Sequence, residues 1–253
     1  SILIGVGSLS YCIIDQQQLV FLRDLTYSSP QALGDLFLQD EYLRQSYQHI
    51  RVGIASGIFT LVPNRLYNMA EKRAYLQQIV MIENTIDVRT DEVRSLSVIN
   101  VYAEQREVLD TVLKYLPGSK IFHISTAILN GLFLQNMSSK GSMLFLHVHA
   151  DKLIVTLLHE KSLQFINLFN YQSAKDFLYY VMLVFDQFNL APEEITTYIS
   201  GQLVKESEVY PMLHRYIRNL NFLPSPDFIK FGPKWKEQPG HFYFDLFSLT
   251  LCN

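Results

Sequence analysis

Residues 143–169, MLFLHVHADKLIVTLLHEKSLQFINLF, contain three apolar runs of strand length, separated by Ala150-Asp151 and by Glu160-Lys161. Runs of this length broken at charged turn residues predict an antiparallel meander, and their apolar content requires that at least one face be buried. Such a sheet needs helices or a second sheet over it, so this stretch constrains everything around it. The chain opens in a similar way, SILIGVGSLSYCIIDQQQLVFLRDLTY over residues 1–27, with a hairpin of residues 2–14 and 19–25 around the polar 15–18. Two halves are predicted, each starting on a hairpin and continuing into alternating strands and helices.

The rest of the chain follows that alternation. Residues 30–43 read as a helix, 51–56 and 58–62 as short strands broken at Gly57, and 67–78 as a helix capped by Asn64. A less regular passage, 83–89, leads to a strand at 95–102. Val108, Leu109, Val112, Leu113 and Leu116 fall on one face of a helix over 104–116, which Pro117-Gly118 ends before a short strand at 120–124. A further helix covers 125–135, and the polar stretch 136–141 is the predicted boundary between halves. Ser173 with Asp176 three residues on caps a helix to 188 that is apolar on nearly every side and therefore expected to be deeply buried. A strand at 195–200 ends at Gly201, and a last helix holds Pro211 in its first turn. Strand and helix in alternation imply mixed sheets with helices on their faces.

Function is bounded mainly by exclusion. A net charge of -3 and no cluster of Lys and Arg leave no electrostatic footprint for nucleic acid. No apolar run reaches the roughly 18 residues that span a bilayer, and Ser1 opens on a strand without a basic start and cleavage site, so neither membrane insertion nor a signal peptide is expected. Cys12 and Cys252, near opposite ends, make neither a disulfide framework nor a metal site, which favours a reducing cytoplasm. The sequon Asn136-Met137-Ser138 would matter only in a secreted protein. No Ser/His/Asp order, paired carboxylates or metal-ligand cluster stands out, so no catalytic residue is assigned. His147 and His149, two apart on a strand, project to one face and would suit two metal ligands, but a third is not evident. Gly118-Ser119-Lys120 reads as a helix stop, and Cys12 as an inert buried thiol. The aromatic tail 222–247 reads as a lid on the core.

The layout carries a resemblance. SMLFLHVHADKLIVTLLHEKSLQFINLF, a long helix, ITTYISGQ and an amphipathic helix resemble the second domain of the actin-like ATPase (ribonuclease-H-like) superfold. LSVINVYAEQREVLDTVLKYLPGSKIFHISTAILNGLF is similar to the segment before its central phosphate hairpin, and residues 2–26 to the first phosphate strand pair. The order matches over residues 95–220. The nearer resemblance is to the degenerate cytoplasmic actin-like proteins of pilus and secretion machines, and to an uncharacterised bacterial family of this fold. The resemblance implies an α/β chain with a duplicated fold, 1–140 and 141–253, each half a mixed sheet flanked by helices.

In that superfold two hairpin turns hold nucleotide phosphates with an Asp-x-Gly type sequence. Its Asp organises magnesium and water, and its glycines let backbone amides approach the phosphates. Here the first turn reads Gly5-Val6-Gly7-Ser8, with glycine where the acid would stand. The second reads His147-Val148-His149-Ala150-Asp151, with neither acid nor glycine in place, and the adenosine-binding glycine pair is reduced to Gly201-Gln202. Gly5, Gly7, Ser8, His147, His149, Asp151 and Gly201 are thus the expected remnants of a nucleotide cleft. Three departures together imply a pseudo-ATPase without cofactor, a scaffold or adaptor that binds a protein partner. By resemblance, the partner groove would lie in the first half, near residues 52–62 and 67–79. The alternative is a nucleotide-binding ATPase or kinase-like enzyme that uses ATP with magnesium through a non-standard cleft.

Overall fold

The computed structural model describes residues 1–135, 141–235 and 239–253. The predicted boundary stretch 136–141 lies, apart from Gly141, outside the described residues, as does the sequon at Asn136. The chain folds into two compact units. One comprises Ser1–Leu132, Ile229–Gly232 and Asp245–Asn253, and the other Phe133–Phe228 and Pro233–Phe244.

The first unit begins with the strands β1 (Ile2–Gly5), β2 (Ser8–Asp15) and β3 (Gln18–Thr26). The expected single run over 2–14 is therefore two strands, because Val6-Gly7 turns the chain: Gly5 pairs with Ser8, and Gly7 takes φ +71°, a conformation open to glycine. Helix α1 (Pro30–Gln39) follows, with Ser29 accepting the Ala32 N–H as N-cap and Pro30 in the first turn. It stops short of the expected residue 43 because the Asp40 carboxylate takes the N–H groups of Tyr42 and Leu43 at 2.9 and 3.0 Å, along with the Tyr11 hydroxyl and the Arg23 guanidinium. These bonds pull Asp40 below the ordinary carboxylate range, against its burial.

After β4 (Arg51–Ile54) and β5 (Ile58–Pro63), the helix expected over 67–78 is only α2 (Lys72–Gln77), preceded by 3₁₀ turns at Asn64–Leu66 and Met69–Glu71. Asn68 accounts for this: its side chain accepts the Ala70 N–H and starts a new turn mid-segment. Of the passage 83–89, expected to be irregular, residues 86–89 open β6 (Ile86–Val93), which pairs with β7 (Val98–Gln105) around Ser97 at φ +53°. Its charged residues hid a strand whose Ile86, Val88 and Val93 are buried. Then come α3 (Arg106–Tyr115), β8 (Lys120–His123) and α4 (Ile124–Leu134). The principal sheet has the order β3-β2-β1-β4-β8, and a smaller one the order β5-β7-β6. Leu33 and Phe37 of α1 and Leu109 and Val112 of α3 bury against the principal sheet's Ile2, Ile4, Leu9 and Ile54.

The second unit repeats the arrangement. Strands β9 (Ser142–His149), β10 (Lys152–His159) and β11 (Ser162–Asn170) form the meander, followed by α5 (Ala174–Gln187), β12 (Thr196–Gly201), α6 (Val209–Tyr216) and β13 (Leu220–Phe222). The order β11-β10-β9-β12-β13 copies that of the first sheet position by position, antiparallel through the meander and parallel beyond it. Helix α5 carries the expected capping box of Ser173 and Asp176. Phe177, Val181, Val184 and Phe185 are fully enclosed, each contributing roughly 1.5–3 kcal/mol relative to exposure. The helix is not buried on every side, however: Tyr179 is 62% and Leu183 38% exposed, since one sheet face can cover only one side of a helix.

Candidate functional site

The two meander turns are the places where sequence anticipates chemistry, and both are built alike. In the first unit Tyr27, just past β3, donates its N–H to the Gly7 carbonyl at 3.0 Å and its hydroxyl to the Gly5 carbonyl at 2.5 Å. In the second, Tyr171, just past β11, donates its N–H to the Asp151 carbonyl at 3.0 Å and its hydroxyl to the Ala150 carbonyl at 3.0 Å. Two residues after each tyrosine stands the serine that caps the next helix, Ser29 or Ser173. Burial pushes both phenols up, helped by Glu104 near Tyr27 and by Asp151 near Tyr171, so each remains a protonated donor. This Tyr-x-Ser signature was present in the sequence at both places and marks the duplication; its even spacing from the meander was the signal to read.

Gly5, Gly7 and Ser8 come together in the first turn, whose tip residue Val6 points an apolar side chain to solvent at 81% exposure. A Cβ on Gly7 would stand 3.3 Å from the Tyr27 carbonyl. His147, His149, Asp151 and Gly201 share one end of the second sheet, because β9 and β12 run parallel and pair Ser200 with His147 and Gly201 with Val148. His147 and His149 are buried, and His147 Nδ1 lies 2.9 Å from the Ser200 hydroxyl. Among the described residues no group of three or more His, Cys, Asp or Glu is placed to hold a metal ion.

Gly201 is required by geometry. At φ +81° its N–H donates to the His241 carbonyl at 2.8 Å, and a Cβ would come within 2.0 Å of the Val148 carbonyl oxygen. The next residue, Gln202, donates its N–H to that Val148 carbonyl at 2.8 Å, while its Oε1 accepts the Ala150 N–H at 3.0 Å. A phosphate approaching this turn through its Ala150 amide would have to displace the chain's own carboxamide. Gln202, read in the sequence only as a missing glycine, is thus a ligand of the turn.

A polar cluster that the sequence did not announce lies within the first unit. Asp91 accepts the His123 N–H at 2.7 Å and the Thr126 hydroxyl at 2.8 Å. The His123 ring meets the Ser125 hydroxyl at 2.6 Å and the Ser56 carbonyl at 2.9 Å, and Asn100 donates to Ser125 and Thr126. A serine, a histidine and an aspartate meet here, but the carboxylate holds the histidine's backbone rather than its ring. All three are buried, so a substrate has no path to the hydroxyl.

An open cleft of about 890 Å³ runs between α1 and α3 on the first unit, lined by Gln31, Asp35, Thr85, Arg106, Asp110 and Lys114 among others. Neither 52–62 nor 67–79 lines it, whereas a smaller open hollow of about 420 Å³ is lined by Gln77, Gln78 and Ile79 with Val80, Met81 and Ile82. The two helices cross closely at Gly34, where a Cβ would meet the Tyr115 ring at 2.8 Å, and this approach shapes the cleft floor. Among the described residues no helix is long and apolar enough to cross a membrane.

Comparison with solved structures agrees with the geometry. A Bacteroides thetaiotaomicron protein with an actin-like ATPase fold and unknown function superposes with a TM-score of 0.84 at 16% identity, over 100% of this chain and 95% of that one. The PilM-PilN type IV pilus biogenesis complex gives a TM-score of 0.63 at 16% identity, covering 99% and 96%. The ethanolamine utilization protein EutJ from Carboxydothermus hydrogenoformans gives 0.52 at 8% identity, covering 100% and 88%. At these identities the likeness establishes the fold, a mixed α/β architecture of the actin-like ATPase kind. No curated protein matches the sequence. Residues 1–220 match the family described as Protein of unknown function (DUF3822), and the chain belongs to that family.

Proposed function

We propose that this chain is a non-catalytic, actin-like scaffold or adaptor of the cytoplasm, with two halves, 1–140 and 141–253, descended from one duplicated unit, and with eroded nucleotide motifs. The observation that carries the reading is the state of the two turns. The Ala150 amide, a donor of the kind that meets a phosphate, is committed to Gln202, and no carboxylate stands at the aspartate position of either turn. Tyr27 and Tyr171 close the two turns through their carbonyls, and in the second turn the one amide so placed serves the fold.

A protein partner is the function left to such a frame. The support is the open cleft between α1 and α3, whose charged and polar lining is offered to solvent, together with the occurrence of a similar fold in the PilM-PilN type IV pilus biogenesis complex, an assembly of two proteins. Substitutions that fill the cleft, such as Thr111→Trp, are expected to abolish partner capture from native lysate while leaving the thermal midpoint in place.

The deciding experiment is thermal unfolding with ATP, ADP and magnesium at concentrations up to about 5 mM. A ligand at 100 times its dissociation constant stabilises the folded state by about 2.7 kcal/mol, a shift of several degrees for a chain of this size. No shift is expected. A rise of several degrees with ATP and magnesium would overturn the proposal in favour of a nucleotide-binding enzyme acting through Ser8, His147 and Asp151.

A further inference from the structure

The sulfur atoms of this chain divide sharply by exposure. Both cysteines are buried, and burial pushes both thiols up, Cys252 to about 12, so neither offers the thiolate that an oxidant attacks. Met143 is buried on β9 at 3% exposure, and Met182 and Met212 are half-buried on α5 and α6. Met69 and Met81 stand apart, 73% and 89% exposed. Among the described residues no other large apolar side chain is as exposed as Met81. The accessible sulfurs there are thioethers, not thiols.

Their exposure is built into the fold at the two ends of α2. On the N-terminal side the Tyr75 hydroxyl donates to the Leu66 carbonyl at 2.9 Å and accepts the Asn68 N–H at 2.9 Å, and the Asn68 side chain accepts the Ala70 N–H. These bonds fix the turn that carries Met69. On the C-terminal side the Arg73 guanidinium donates to the Ile82 and Glu83 carbonyls at 2.9 and 2.8 Å. The run Ile79-Val80-Met81-Ile82 then alternates: Val80 and Ile82 pack on the core of Val62, Leu76 and Val88, while Ile79 and Met81 stay exposed along the open hollow of residues 77–82. With Leu66 and Ile79, the two methionines put four large apolar side chains in solvent around α2, and neither methionine belongs to the core beneath.

We propose that Met69 and Met81 form an oxidative modification site, at which hydrogen peroxide converts the exposed thioethers of the folded chain to sulfoxides and a thiol-dependent reductase converts them back. In the forward step the sulfur lone pair takes one oxygen of the peroxide as the O–O bond breaks. The sulfur is oxidised by two electrons, and the other oxygen leaves as water with the proton of the first. In the return step two reductase thiols close to a disulfide, and the sulfoxide oxygen leaves as water with both thiol protons. Oxidation makes two of the four apolar side chains around α2 polar without entering the core, so the redox state of the site sets how apolar that surface is.

Peptide mass spectrometry of the full chain during exposure to about 10 mM hydrogen peroxide tests this. Met69 and Met81 are expected to gain one oxygen each at least about tenfold faster than Met143, and ahead of Met182 and Met212, a ranking that disappears once the chain is unfolded in urea. Methionine sulfoxide reductases for both epimers, with dithiothreitol, should restore both residues on the folded protein, and the thermal midpoint should stay within about 2 °C throughout. Fluorescence of the apolar-surface dye bis-ANS should fall on oxidation of wild type and fall less in the double variant Met69→Leu with Met81→Leu, which keeps the apolar bulk without the sulfur. Oxidation of Met69 and Met81 at rates within about threefold of Met143, a midpoint that drops by several degrees as they take up oxygen, or a dye signal that changes alike in wild type and the double variant would overturn the proposal.

Discussion

Acidification should act in opposite directions on the two ends of the buried cluster in the first unit. Burial, the dominant influence, lifts the Asp91 carboxyl from 3.8 to about 6 despite its bonds to the His123 amide and Thr126 hydroxyl. Burial likewise depresses the His123 imidazole from 6.5 to about 4. The raised carboxyl contributes stability that is complete below pH 3.8 and is lost as pH rises through about 6, because the folded state keeps a proton the unfolded chain releases. The depressed imidazole contributes stability that is complete above pH 6.5 and is lost as pH falls towards 4, because the unfolded chain takes up a proton the folded state refuses. At 1.36 kcal/mol per unit each contribution amounts to about 3 kcal/mol, so in the intact protein they offset.

Single substitutions separate them. Between about pH 7.5 and pH 4 the unfolding free energy of Asp91→Asn should fall by about 3 kcal/mol relative to wild type, and that of His123→Gln should rise by about as much. Urea unfolding at each pH reads the difference, which corresponds to about 1.5 M in midpoint at a slope of about 2 kcal/mol/M. Other titrating groups are common to the proteins compared and cancel. Profiles for both variants that stay parallel to wild type within about 0.5 kcal/mol would refute the reasoning, since the two groups would then titrate as they do in the unfolded chain.

Three further sets of substitutions follow from the geometry. Gly201→Ala adds a methyl within 2.0 Å of the Val148 oxygen at φ +81°, and should cost at least ~2 kcal/mol in urea unfolding, whereas Gly118→Ala, at φ +81° in open space, should cost about 1 kcal/mol. Tyr27→Phe and Tyr171→Phe each remove one hydroxyl donor from a turn carbonyl and should destabilise by about 0.5–1.5 kcal/mol apiece, with the double variant additive if the turns are independent. Asp40→Ala leaves the buried Tyr11 hydroxyl and the Leu43 amide without their acceptor and should cost about 3 kcal/mol, measurable as a fall of several degrees in the thermal midpoint.

The sequence by itself determined the elements whose signal is local. The meander over 143–169 was legible because apolar runs broken at charged turn residues are short-range features, and the Ser173 cap because its partner Asp176 lies three residues away. The resemblance in layout carried the actin-like fold, since strand order in such a sheet follows from element order. Where charged residues interrupt the pattern, as in β6, or where a cap sits inside an apparent helix, as at Asn68, the local signal misled.

Only the tertiary structure decided what the site residues do. That Tyr27 and Tyr171 close the two turns, that Gln202 occupies the Ala150 amide, and that Asp91 meets His123 are contacts across 20, 52 and 32 residues or so, which periodicity does not encode. The same holds for the last residues, Asp245–Asn253, which fold back to join the first unit, and for the exposed flank of α5. The physical reason is common to all of them: a hydrogen bond or a packed face depends on which distant segments the folded backbone brings within a few ångströms, and that is settled by the assembled core rather than by any stretch of chain read alone.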